Sequence, residues 1–168
     1  MVTALFLTSC SSGKYSQSDI NMYLTKERVK AKTSPISFRI PKGWHVVDAN
    51  NSEFVDLWIV RDDMKVSLSL LPFTPSAPAV SLVSAYEVSI EMHRAKYLNN
   101  NSFKIVKEKS EMLSGKEVLF YHFKIGPEKF RVALFKFNNK IYELTLYGKN
   151  TNIKKEYFIQ ELVISSAK

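Results

Sequence analysis

The sequence predicts an α+β fold, a central antiparallel sheet flanked by helices, and three observations lead to it. Between residues 103 and 147 the turn pairs Ser114-Gly115, Gly126-Pro127 and Asn138-Asn139 punctuate apolar runs. They recur at the eight-to-twelve-residue spacing of an antiparallel meander. Before that stretch, Leu82, Ala85, Tyr86, Ile90, His93 and Tyr97 recur at steps of three and four behind Ser81, the pattern of an amphipathic helix. After it, Thr151 or Asn152 can cap a last helix that turns Ile153, Tyr157, Leu162 and Val163 toward the sheet. Strands, helix, meander and helix form a layered α+β domain.

Residues 11–34 read as a linker, because 11–19 are small and polar. A short helix is expected over 19–32, with Asp19 as N-cap and Ile20, Tyr23 and Leu24 at helical spacing. Its lysines and Arg28 would be solvated or lie along an anionic leaflet. Ile36, Phe38 and Ile40 then alternate with Ser37 and Arg39, a strand with one buried face. Pro41-Lys42-Gly43 is a turn, and Trp44, Val46 and Val47 begin the next strand. Asp62-Asp63 separates the apolar runs 57–60 and 66–71 as a hairpin. Pro72, Pro75 and Pro78 then impose an extended loop. Ser84 and Glu87 have capping-box spacing, so the following helix starts at Ser81 or three residues later. Four strands follow, over 103–112, 117–125, 130–137 and 141–147.

Cys10, the only cysteine, ends Leu7-Thr8-Ser9-Cys10 behind a short apolar run. The pattern resembles the lipobox of bacterial lipoproteins, with a truncated signal in residues 1–10. The resemblance implies lipid attachment at Cys10, membrane contact through that anchor, and location in the bacterial cell envelope. In a Gram-negative organism Ser11 after Cys10 implies the outer membrane. Two or more acyl chains anchor stably, at about 0.8 kcal/mol per buried methylene. One cysteine and three dispersed histidines provide no zinc site, so no metal is expected. Nor does a cofactor motif appear: Gly-x-Ser-x-Gly and phosphate-cradling loops are both missing.

Ser37-Phe38-Arg39-Ile40-Pro41-Lys42-Gly43-Trp44 is similar to the opening of the PsbP-like domain family, where a strand runs into a Pro-x-Gly-Trp turn. The order of later elements, with the Gly115 turn and Lys140-Ile141-Tyr142-Glu143-Leu144-Thr145 before a terminal helix, agrees with it. The resemblance extends over residues 36–165 and sets the domain at 35–168. It implies an α/β/α sandwich, and its bacterial DcrB-type members are envelope lipoproteins. It implies no shared activity and no catalytic residues, because fold does not give function.

The net charge of +8 suits anionic lipid, lipopolysaccharide or an acidic protein, or is simply that of a soluble basic surface. Lys129 and Arg131 share one strand face and Lys136 the other, so the charge is spread, and nucleic acid is not expected as a partner of an exported chain. His45, His93 and His122 fall on separate elements and are not expected to form one site. An enzyme would require His45 or His122 to meet a carboxylate in space. Ser67 and Ser69 read as ordinary strand alternation. The expected function is therefore that of a noncatalytic monomeric module that binds or assembles a protein partner. The alternative is a small-ligand carrier or sensor with Trp58, Phe73, Tyr86 and Tyr97 at an aromatic-lined pocket.

Overall fold

The computed structural model describes residues 14–48, 52–73, 81–99 and 103–168. Cys10, spacer residues 11–13 and the prolines at 75 and 78 lie outside the described residues. The chain runs α1 (Gln17–Tyr23), β1 (Leu24–Lys30), β2 (Ser37–Pro41), β3 (Trp44–Val47), β4 (Leu57–Arg61), β5 (Val66–Phe73) and α2 (Leu82–Lys96). It continues through β6 (Val106–Lys107), β7 (Glu111–Leu113), β8 (Lys116–Ile125), β9 (Glu128–Phe137) and β10 (Lys140–Lys149). A 3₁₀ turn (Ile153–Glu156) and α3 (Tyr157–Ser165) complete it.

The expected antiparallel sheet forms, in the order β3-β4-β5-β10-β9-β8-β6, with β7 also on β8. Its centre is a meander without register breaks: β9 and β10 pair from Phe137↔Lys140 to Glu128↔Lys149. Asn138 and Asn139 close that hairpin at φ 47° and 61°. Positive φ at both central positions matches the right-handed twist of the strands. At the far end of β10, a Cβ on Gly148 would lie 2.3 Å from Ile153 Cγ2. Glycine there lets the terminal helical segment pack against the strand.

Alternation along the strands divides the core into two layers. On the first face, Ile59, Leu68, Phe120, Phe135, Leu144 and Leu146 pack with Leu24, Ile36 and Phe38 of the N-terminal region and with Leu162 and Val163 of α3. On the second, Tyr121, Phe123, Val132, Leu134 and Ile141 pack beneath Ala85, Tyr86 and Ile90 of α2. Ser81 caps α2, its side chain accepting from the Ser84 amide. Trp44 is buried in the first layer.

Pro72 does not open the expected loop: β5 runs through it to Phe73, with Pro72 opposite Tyr142. Three further expectations change. The helix expected over 19–32 is α1 alone, capped by Ser16 in a capping box with Asp19, and it gives way at Leu24 to a strand. That strand pairs antiparallel with β2 through Val29↔Phe38 and Lys30↔Ser37. Ile20, Leu24 and Ala31 are buried, so residues 17–31 of the expected linker pack into the fold. Pairing with a distant strand outweighs local helix spacing. The strand expected over 103–112 is reduced to the short β6 and β7.

The third change concerns charge. Arg131, read as a surface cation, is 2% exposed. Its guanidinium stacks between the Phe120 and Tyr157 rings, 4.0 and 4.2 Å from their centroids. Arg131 Nη2 donates to Glu108 Oε2 at 2.8 Å and Nη1 to Glu161 Oε1 at 2.9 Å. Lys14 Nζ donates to Glu161 at 2.8 Å and to Glu111 at 2.5 Å, and the Tyr15 hydroxyl donates to Glu161. Burial alone would raise the Glu161 pKa; donation from Lys14 and Tyr15 and the nearby Arg131 charge hold it below its usual value. This network joins the N-terminal segment, β7, β9 and α3.

Candidate functional site

Among the described residues the second face is only partly covered. α2 lies over β8 and β9, and the rest of that face forms a trough of about 520 Å³. The described lining residues are Asp48, Ser52, Val55, Trp58, Ser67, Ser69, Phe130, Thr145 and Tyr147. Strand register places most of them in two rungs across the sheet. Trp58 pairs with Ser69, and Ser69 with Thr145. Ser67 pairs with Tyr147, and Tyr147 with Phe130.

Ser67 and Ser69 on β5 and Thr145 on β10 lie between Trp58 on β4 and Phe130 on β9, with the Tyr147 ring on β10 beside Phe130. Three strand intervals separate β4 from β9, about 14 Å at the usual spacing. Phe130 is held by Phe123, with centroids 4.7 Å apart, and by Tyr147 at 5.1 Å. The Tyr147 hydroxyl donates to Glu128 at 3.1 Å. Trp58 is 40% exposed.

A buried polar chain backs the trough. Thr145 Oγ1 donates to Glu143 Oε1 at 3.0 Å, and Ser89 Oγ donates to Glu143 Oε2 at 2.6 Å. His93 Nδ1 lies 3.0 Å from the Ser89 carbonyl, which can only accept, so Nδ1 carries a proton. The same nitrogen is 2.9 Å from the Tyr121 hydroxyl, which is 2.6 Å from Ser89 Oγ. The Ser89 proton is committed to Glu143, so Tyr121 donates to Ser89, and the single His93 Nδ1–H is shared between the Ser89 carbonyl and the Tyr121 hydroxyl. The chain therefore points from His93 on α2 to the carboxylate behind Thr145. Burial raises the Tyr121 pKa, and the Glu143 charge raises it further. A fully satisfied buried network of this kind fixes α2 on the sheet.

Of the four aromatics singled out from sequence, Trp58 alone is among the described residues that line the trough, and the other three pack in the second-face core. Tyr86, on α2, is buried against the sheet with its hydroxyl donating to the Phe120 carbonyl at 2.9 Å. Its pKa is pushed up to about 12, chiefly by burial. Tyr97 packs against Phe103 and Phe123, and Phe73 against the same second-face core. The trough's hydroxyl rungs were missed because serine in an alternating strand carries no special signal. Glu143 did carry one: it is a lone carboxylate between Tyr142 and Leu144 in an apolar strand.

The histidines stay apart, as expected, yet two of them meet carboxylates. His45 Nδ1 lies 3.0 Å from Asp62 at the surface, and His122 Nδ1 lies 3.0 Å from Glu108. Neither histidine lines the trough. Glu108 is already engaged by Arg131, so that pair belongs to the ion network. Among the described residues no group of three or more His, Cys, Asp or Glu could hold a metal, and no helix there is long and apolar enough to cross a membrane.

No protein-family model matches the chain, and no curated protein matches it in sequence. Solved structures do match. The solution structure of cyanobacterial PsbP from Synechocystis superposes with a TM-score of 0.59 at 15% identity, covering 84% of this chain and 91% of that one. The chain therefore has the PsbP-like α+β fold. A looser match, TM-score 0.40 at 11% identity over 92% of this chain and 96% of the other, is to LpqN of Mycobacterium tuberculosis, a protein involved in cell envelope biogenesis. At that distance its role does not transfer.

Proposed function

We propose that the protein is a noncatalytic binding module of the bacterial cell envelope, held at a membrane through lipid on Cys10, with the second-face trough as its binding element. The observation that carries the reading is the trough itself. Its volume of about 520 Å³ lies within the range of small-molecule sites, and its mix of rings and hydroxyls is that of a recognition surface. The lipobox resemblance supports the location, and the PsbP-like fold is compatible with a module that has no chemistry of its own.

A second reading, a protein partner, is favoured by a specific feature of α2. Val83, Val88 and Met92 are exposed on the helix, and Leu98 is 75% exposed just beyond it. Val88 and Met92 stand one turn apart on one face of the helix, and an exposed apolar pair of that kind supports a contact with a protein partner.

Two experiments on the full chain, expressed in bacteria with its upstream codons, test these readings. Labelling with a palmitate analogue is expected to appear in the membrane fraction and to vanish in Cys10→Ala. An unlabelled soluble protein would remove the location. A photoreactive residue at position 58 is expected to form adducts in cells, and one at position 88 is not. Adducts from position 88 alone would favour the protein-partner reading over the trough.

A further inference from the structure

We infer that the trough recognises a neutral, hydroxyl-rich ligand, a saccharide of about two rings. The inference rests on the trough being the binding element and adds the chemistry of what it takes.

Charge narrows the class first. The chain carries a net charge of +8 and 24 Lys and Arg residues, yet no Lys, Arg or His is among the described residues that line the trough. Asp48 is the one carboxylate there. A site for phosphate or a carboxylated ligand would need cationic or amide donors aimed into it. On a protein this basic, the lack of side-chain cations and amides among the described lining residues disfavours anions.

The hydroxyl rungs narrow it further. Ser67, Ser69 and Thr145 form its floor, with Ser52 and the Tyr147 ring beside them. A hydroxyl both donates and accepts, so a row of them suits a ligand whose own groups do the same. Thr145 keeps Glu143 and Ser52 keeps the Val55 amide whatever is bound, but a purely apolar ligand would strip water from the Ser67 and Ser69 hydroxyls without replacing it, at about 1–3 kcal/mol for each one buried. The rings supply the remaining element. An aromatic face is negative and attracts the polarised C–H groups on the flat side of a sugar ring. Trp58, 40% exposed, lines the trough from β4, and Phe130 lines it from β9. The separation of about 14 Å between those strands accommodates two sugar rings in line.

An organic ammonium is the nearest rival, because rings and a carboxylate also hold cations. The rungs decide against it, since a quaternary ammonium uses no hydroxyl partner.

The test is a titration of ¹⁵N-labelled protein with cellobiose, maltose and N,N′-diacetylchitobiose, with choline and inorganic phosphate as charged probes. At least one disaccharide is expected to shift the amides of Trp58, Ser67, Ser69, Thr145 and Tyr147 saturably. Trp58→Ala should weaken that binding about tenfold, the loss of one stacking contact, and Trp58→Phe should restore most of it. Trough amides that respond to choline and not to the sugars would overturn the saccharide assignment while leaving the trough as the binding element. Trough amides that stay still in every sugar also overturn the assignment. Ser69→Leu, which fills the floor, separates the two claims: if it leaves the in-cell adducts at position 58 unchanged, the trough reading itself falls.

Discussion

The two faces of the sheet are built from the same strands and end in opposite states. The first is sealed by α3 and the β1–β2 hairpin, and its rim is tied by the Arg131 network. Backbone bonds between Ser37 and Lys168, 2.8 and 3.0 Å, close the C-terminus onto the same side. Among the described residues the second face has one helix for cover, tied down by Glu143, Ser89, Tyr121 and His93, and it is open from Trp58 to Phe130. Polar groups follow the same division. On the sealed side they pair with one another across elements, which is a stability device. On the open side Thr145 belongs both to the buried chain and to the trough, so support and recognition share one residue.

The comparison can be broken most severely on the sealed face. Arg131→Met leaves Glu108 and Glu161 without their shared cation and is expected to cost about 3–5 kcal/mol, read from denaturant unfolding. Leu24→Ala, at a fully packed site of the N-terminal strand, should cost about 2–5 kcal/mol within one cooperative transition. A loss below about 0.5 kcal/mol would return that segment to the status of a spacer. On the open face, Glu143→Gln replaces an acceptor of two hydroxyl protons by a group with its own donors. About 1–3 kcal/mol is expected, with α2 loosened in hydrogen exchange before the meander.

Acid sharpens the same contrast. The Glu161 carboxyl has a folded pKa below its ordinary 4.5, so its contribution is complete above that value and is lost as pH falls through the folded one. Unfolding free energies between about pH 2 and 6 should fall less steeply for Glu161→Gln than for the native chain. Equal slopes would deny the pairing. The smallest expected effect is at Trp58, where replacement by Ala should cost about 1 kcal/mol or less in stability while weakening ligand binding, a separation that marks a recognition residue.

Much of this architecture was legible in the sequence. The Asn138-Asn139 and Gly126 turns, the Ser81 cap and the alternation of Ile36, Phe38 and Ile40 are local signals, and they survive into the fold. The β1 strand was illegible because the partner that makes it a strand lies in β2, and helix spacing in Ile20, Tyr23 and Leu24 was the stronger local cue. Arg131 looked like any strand cation, because the groups that bury it come from residues 108, 157 and 161. The trough was half legible. Trp58 was noticed without an orientation, and Ser67 and Ser69 gain meaning only beside Thr145 and Tyr147 on the adjacent strand.

The two tryptophans mark the two faces, and they test the central claim most directly. Trp44 is 8% exposed in the sealed core and Trp58 is 40% exposed in the trough. Acrylamide quenching would be compared between Trp58→Phe, which reports Trp44 alone, and Trp44→Phe, which reports Trp58 alone. The account predicts red-shifted, strongly quenched emission from Trp58 and blue-shifted, weakly quenched emission from Trp44. Equal quenching of the two, or protection of Trp58 in the free protein, would show that the second face is closed and that there is no open trough to bind anything.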